Sequence, residues 1–287
     1  MNLRSILCSV CAFWVALFLI VTRPAETNPS INTAPPTSIS ETEEPTITNE
    51  PTIEETTETT EPETEPVIFS EDITFTYEWI ADDDHMPYAL YTPSCADEYD
   101  KIPLIVWLHG GGESNATETY FRLNGLPAVL DNWTLEGFNA YIICPQLRQG
   151  FGDGRWNSLT SMNCLKKLLD FFIANHNVDT DRIIISGHSL GGQGCLYMAH
   201  EMPGYFSACA ALSPYDPYLN TKEIAIPIVA YAENASFALG VSHLFEDGVI
   251  KIVSTYHGDV PNKVFNLDED NNNRSDLIEW MLSMKKE

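Results

Sequence analysis

A serine set between glycines, Gly187-His188-Ser189-Leu190-Gly191, follows the apolar run Ile183-Ile184-Ile185 and opens into "GGQGCLYMA". G-x-S-x-G at a strand-to-helix junction is the pattern of a nucleophile elbow, a turn so tight that the serine takes a strained backbone conformation and its flanking positions have no room for side chains. The hydroxyl then stands at a helix N-terminus, where amide hydrogens and the macrodipole favour developing negative charge. The plainer alternative is a glycine-rich turn whose serine only caps a helix. Ser189 is a candidate nucleophile if the rest of the chain supplies its partners.

A hydroxyl at its own pKa is a poor nucleophile and needs a base. Where such an elbow is used, the acid and then the histidine follow it in the chain. Three histidines lie downstream of Ser189: His200, His243 and His257. His200 sits about three turns along the helix that Ser189 opens, too far to reach back. His243 falls in a helical stretch between the last two strands. His257, in "STYHGDVPNKVF", follows the last strand in a Gly-containing loop, so it is the candidate base; a surface loop histidine is the bland alternative. The acid belongs in "YAENASFALG" (231–240), where Glu233 is the sole carboxylate. Asp216, in "SPYDPY", is the second candidate, and a Ser–His pair without a carboxylate is the third. The oxyanion donors belong in "WLHGGGES" (107–114), where glycines let backbone N–H groups approach a tetrahedral intermediate. Gly111 is assigned one donor, with Gly112 as the near alternative, and the amide of Leu190 the other. His109 reads as a structural hydrogen-bonding residue. Gln146 and Trp156 lie near the mouth as candidate substrate contacts; Trp156 could stack on a sugar or aromatic acyl group or simply pack.

The elements that must hold these groups are legible as short apolar runs. "ITFTYEWI" (73–80) alternates and reads as an antiparallel strand beside "PYALYTP" (87–93). "PLIVWLHG" (103–110), "NAYIICP" (139–145), "RIIISG" (182–187), "SACAALSP" (207–214) and "IPIVAYAE" (226–233) are nearly continuous apolar runs, as strands covered on both faces require, and "VIKIVST" (249–255) is a weaker eighth. Helical patterns fall between them, at 158–176, 191–202 and 274–286. The alternation predicts one α/β domain over 67–287: a mostly parallel eight-stranded sheet with helices on both faces. Only about a dozen residues separate the runs at 207–214 and 226–233, too few for a large cap domain, so the serine should lie in an open cleft.

The chain has 287 residues, is 44% hydrophobic and carries a formal net charge of −26. That acidity argues against nucleic acid, which needs a basic footprint. Residues 1–23, with Arg4 before an apolar run from Ile6 to Val21, read as a signal peptide or an uncleaved signal anchor, and either implies export. Membrane contact is expected only through this segment. Residues 24–66 hold eleven Glu, twelve Thr and eight Pro with no Lys, Arg or aromatic residue, the composition of a disordered stalk. Cys95, Cys144, Cys164, Cys195 and Cys209 have no framework spacing and read as buried free thiols of a monomeric domain. In "DEDNNNRSDLIE", Asp268, Asp270, Asn272, Asp276 and Glu279 occupy positions of an EF-hand-like loop, a candidate structural calcium site; an Asn-rich turn capping the last helix is the alternative. Sequons occur at Asn115, Asn132, Asn234 and Asn273, and glycans at the first and third would crowd the candidate site, a hint of a bacterial source.

From about residue 86 to the end the chain resembles an α/β-hydrolase of the bacterial secreted esterase and "predicted peptidase" group, related to feruloyl esterases, acetyl xylan esterases and polyhydroxybutyrate depolymerases. The pieces that carry the resemblance are "MPYALYTP", "KIPLIVWLHGGGE", "AYIICPQ", "VDTDRIIISGHSLGGQG" and "LIEWMLSMKK". The resemblance implies a serine carboxylesterase acting through an acyl-serine intermediate with no cofactor required; the stalk and the open cleft point to acetyl or feruloyl groups on plant polysaccharide, or to a small ester, as its substrate. The sequence departs from the group's G-x-x-D acid loop, where "AENA" stands. A serine peptidase of the same fold and a catalytically inactive surface binding module are the competing expectations.

Overall fold

The structure is a computed structural model and describes residues 66–215, 223–245 and 249–286. The signal-like run, nearly all of the stalk and Asp216 lie outside the described residues. A short ribbon pairs β1 (Phe69–Ser70) with β5 (Gly137–Phe138) in antiparallel fashion. The main sheet contains β2 (Phe75–Ile80), β3 (Tyr88–Pro93), β4 (Ile102–Leu108), β6 (Tyr141–Pro145), β7 (Val178–His188), β8 (Ala208–Leu212), β9 (Ile228–Ala232) and β10 (Ile250–Ile252). Its eight strands run in the order β10-β9-β8-β7-β4-β6-β3-β2. The pairs from β10 to β6 are parallel, and β6–β3 and β3–β2 are antiparallel. These are the eight runs expected from the sequence, with the two leading strands antiparallel as their alternation requires.

Helices α1 (Glu118–Arg122), α2 (Gly125–Leu130), α3 (Leu159–Asn175), α4 (Leu190–Glu201), α5 (Ala235–Val241), α6 (Val260–Phe265) and α7 (Asp276–Ser283) fill the connections. Side chains alternate across a strand, so β4 sends Leu104, Val106 and Leu108 into one core and Ile105 and Trp107 into the other. The first core takes the apolar stripe of α3 (Leu165, Leu168, Leu169, Phe172) and Leu196 and Met198 of α4. The second takes Leu126 and Val129 of α2, Val260 and Val264 of α6, and Leu277, Ile278 and Met281 of α7. Burial on both faces is why the central strands read as unbroken apolar runs rather than alternating ones.

One strand end and three short helices differ from the sequence expectation. β7 begins at Val178, four residues earlier than the apolar run, because it resumes pairing with β4 across a bulge between Ile102 and Leu104. α1, α2 and α6 were not foreseen: at five or six residues they are too short for a helical period to show. Cys144 and Cys209 lie in β6 and β8, and with Cys95 and Cys195 they are buried free thiols; Cys164 is half-buried. Among the described residues, no helix is long and apolar enough to cross a membrane.

Candidate active site

β7 delivers the chain to the elbow at the centre of the sheet. Ser189 is the N-cap of α4 with φ 56° and ψ −115°, a left-handed conformation that a serine adopts only under constraint. Its N–H donates to the Leu212 carbonyl of β8 at 2.9 Å, and its own carbonyl accepts from Gln193 at 3.0 Å. The glycines on either side are demanded by contact. A Cβ on Gly187 would stand 2.5 Å from the Gly191 carbonyl oxygen, and one on Gly191 would collide with the Leu108 carbonyl at the end of β4. Helix and strand are packed backbone to backbone there, so the turn cannot relax.

The loop after β4 lies against this turn. A Cβ on Gly110 would be 3.7 Å from Ser189 Cβ, one on Gly111 would be 4.0 Å from the Leu190 side chain, and one on Gly112 would face the Tyr120 hydroxyl at 3.9 Å. Of the two glycines considered from sequence, Gly111 is therefore the one beside Leu190. His109 anchors the loop. Its Nδ1–H donates to the Gly110 carbonyl at 2.6 Å, its Nε2 accepts the Leu147 N–H at 3.0 Å, and its carbonyl accepts from Trp156 Nε1 at 3.0 Å. A ring that both donates and accepts is neutral, and burial drives the His109 pKa down to about 4.

Gln146 and Trp156 correct the sequence reading. Trp156 is fully buried and packs where a side chain on Gly194 would have to go. Gln146 is 1% exposed, and its Nε2 donates to the carbonyls of Glu113 and Ala116 at 2.9 and 3.0 Å. Neither reaches a cleft; both brace the glycine loop from behind. Sequence could place them on that loop's neighbour but not say which way they point.

The opposite wall is built from three loops at the same end of the sheet. Glu233 follows β9 directly, and its carbonyl accepts the Thr255 N–H at 3.1 Å, which draws the segment after β10 alongside. His257 begins a 3-10 turn there, and its Nδ1 meets Glu233 Oε1 at 3.1 Å. Ser213, after β8, donates its hydroxyl to Glu233 Oε2 at 2.6 Å. Burial by itself would raise the Glu233 carboxyl, but the hydrogen bonds from Ser213, its own backbone and His257, with the attraction of His257, outweigh it and hold the group below its ordinary value. His188 completes the wall: its ring lies 4.7 Å from that of His257 and is hydrogen-bonded to the His257 backbone. Burial first, and the nearby His257 second, bring the His188 pKa down to about 4. Among the described residues His257 and Ser189 share no hydrogen bond; the His188 ring, one residue before Ser189, joins the two segments.

Ser213 and His188 are the parts of this arrangement that sequence reading missed. Nothing in "LSPY" marks Ser213, although its left-handed φ of 43° aims the chain toward Glu233. His200 lies elsewhere, with its Nδ1 2.8 Å from Glu201, and His243 is exposed on the turn after α5.

The loop 268–279, the candidate calcium site, is closed by its own hydrogen bonds. Asp268 accepts the N–H groups of Asn272 and Asn273 at 2.9 and 3.0 Å, and Asp276 accepts that of Glu269 at 3.2 Å. Asn272 Nδ2 donates to Glu279 at 3.2 Å, and Arg274 Nη1 lies 3.5 Å from the same carboxylate. No group of three or more His, Cys, Asp or Glu side chains that could hold a metal converges among the described residues. Ser275 is the N-cap of α7, directly after this turn.

Residues 82–243 match the model of a family described as Putative esterase, over half of the chain. The chain belongs to this family. The chain is 29% identical to the S-formylglutathione hydrolase of Rattus norvegicus over 151 residues, 45% of this chain and 51% of that protein. It is also 29% identical over 114 residues to the medium-chain fatty acyl-CoA hydrolase precursor of Anas platyrhynchos, 36% of this chain and 19% of that one. The chain thus spans about half the length of the first relative and about a fifth of the second. In solved structures, FrmB, the S-formylglutathione hydrolase of Staphylococcus aureus, superposes with TM-score 0.51 at 15% identity over 74% of this chain and 98% of that one. A thermostable esterase superposes with TM-score 0.50 at 18% identity over 74% of this chain and 63% of that one. These likenesses are ones of fold, and the fold is that of the α/β-hydrolases.

Proposed function

We propose that this esterase is an exported serine carboxylesterase that removes acetyl or feruloyl groups from plant polysaccharide. Ser189 Oγ attacks the ester carbonyl while the free ring nitrogen of His257 takes its proton. The oxyanion that forms is met by the amides of Gly111 and Leu190. The imidazolium, held in orientation by Glu233, then protonates the departing alcohol, and water repeats the sequence on the acyl-serine to release the acid. The observation that carries this reading is the contact of His257 Nδ1 with Glu233 Oε1 at 3.1 Å, with the His257 ring 4.7 Å from that of His188, the residue before a serine with φ 56°. A carboxylate held ionised beneath an imidazole is what stabilises the proton the serine gives up. Export rests on the apolar run at 6–21 and the Thr/Glu/Pro-rich stretch behind it.

A fluorophosphonate probe should label the folded chain at Ser189, and Ser189→Ala should lose both labelling and p-nitrophenyl acetate turnover by about 10⁴-fold or more. An unlabelled, folded wild type would remove the enzyme reading and leave an inactive hydrolase-like module. Recovery of the protein in the cytosolic fraction would remove export. A second reading, a small thioester substrate, is favoured by the 29% identity to the rat S-formylglutathione hydrolase. Relative kcat/KM on S-formylglutathione and on acetylated xylan separates the two.

A further inference from the structure

Besides His188, two aromatic rings flank His257. The Tyr215 ring centroid is 6.2 Å from that of His257, the Phe237 centroid is also 6.2 Å away, and the two aromatic rings are 6.1 Å from each other. The three rings form a nearly equilateral triangle. Tyr215 is 51% exposed; Tyr256, the residue before His257, is 88% exposed. Phe237 is half-buried. Such a group of open rings next to an imidazole is unusual for packing alone, because exposed aromatic surface gains nothing from water.

Which part of a substrate would meet this wall follows from the chemistry proposed above, on which this inference rests. The imidazole protonates the leaving oxygen, so the alcohol half of the ester must pass beside the His257 ring, and its substituents must lie along whatever flanks that ring. We infer that Tyr215 and Phe237 form the leaving-group subsite and that it takes a sugar ring. The wall offers one apolar face and leaves the far side in water. An alkyl alcohol needs enclosure to gain from burial, and half-exposed rings do not enclose it. A pyranose has an apolar C–H face to lay on an aromatic ring and hydroxyl edges that stay hydrated, and the Tyr215 hydroxyl is at hand for one of them. Tyr215 and Phe237 are thus specificity-determining residues for the alcohol, a role that the sequence reading had given to the buried Trp156.

The test compares two esters that share an acyl group: an acetylated methyl β-xylopyranoside and ethyl acetate. Wild type should favour the sugar ester, and Tyr215→Ala and Phe237→Ala should each lower the ratio of the two kcat/KM values by about 10-fold, chiefly through KM of the sugar ester. Tyr215→Phe should retain most of the ratio, because the ring supplies the stacking face. An unchanged ratio in both alanine variants overturns the subsite. So does an equal fall of kcat on both esters, which would make the rings mere supports of the His257–Glu233 contact. A wild type without activity on either ester fails the esterase reading instead, and the fluorophosphonate label reports that failure separately.

Discussion

Around Ser189 the backbone is held by collisions: Gly187, Gly191 and Gly192 sit where backbone carbonyls leave no room for a Cβ. Around His257 the chain is held by side chains: a carboxylate shared between an imidazole and the Ser213 hydroxyl, the buried His188 ring, and two partly open aromatic rings. The first kind of constraint is steric and all-or-none, since a packed backbone has no neighbouring arrangement to fall into. The second is a sum of hydrogen bonds, each removable at a finite cost. Substitutions on the two sides should therefore fail differently. At the glycines flanking the serine stability is lost; on the histidine side the protein keeps its stability and loses rate.

The largest effect is expected at Gly191→Ala. The new methyl must displace the Leu108 carbonyl or the start of α4, which should cost about 3 kcal/mol and lower Tm by about 10 °C. A variant with wild-type Tm and activity would mean that strand and helix are not in contact at this point. Next comes the acid. Glu233→Gln keeps the shape but removes the charge beneath His257, and kcat on p-nitrophenyl acetate should fall about 10²–10⁴-fold with Tm little changed. Ser213→Ala removes one hydrogen bond to that carboxylate, leaving those from His257 and its own backbone, and should lower kcat by only about 10-fold. If Ser213→Ala matched Glu233→Gln, the hydroxyl would be acting on substrate and not through the carboxylate.

The smallest effect is one of pH, and it separates the two regions by their histidines. His109 on the serine side and His188 on the histidine side are both neutral in the fold, with pKa values brought to about 4 from an ordinary 6.5. Because the folded pKa is the lower one, the unfolded chain binds the extra protons. The stabilisation is complete above pH 6.5, shrinks as pH falls, and is gone below about 4. Each ring should make stability fall by about 1.4 kcal/mol per pH unit in that window. His188→Gln should remove one of the two contributions, read as one proton fewer taken up on unfolding near pH 5. Uptake unchanged by the substitution would mean that His188 is already protonated in the folded protein. Glu233 acts lower still: its depressed carboxyl adds stability above the ordinary carboxylate range, lost as pH falls through its folded value.

Much of this arrangement was legible before any coordinates. Unbroken apolar runs give away strands buried on both faces, so the eight strands and their alternation with helices could be written down from "PLIVWLHG" to "VIKIVST". Local geometry that only glycine permits is equally visible, and it marks both the elbow at 187–191 and the loop at 109–112. Chain order pointed to His257 and to Glu233 because each is the sole suitable residue in its loop. The failures share a cause. Gln146 and Trp156 were placed on the right loop but point into the protein, and a side chain's direction depends on the packing of segments far apart in sequence. Ser213, His188, Tyr215 and Phe237 carry no motif at all. They matter because the ends of β7, β8, β9 and β10 meet at one edge of the sheet, and that meeting is a property of strand order, which no single segment encodes.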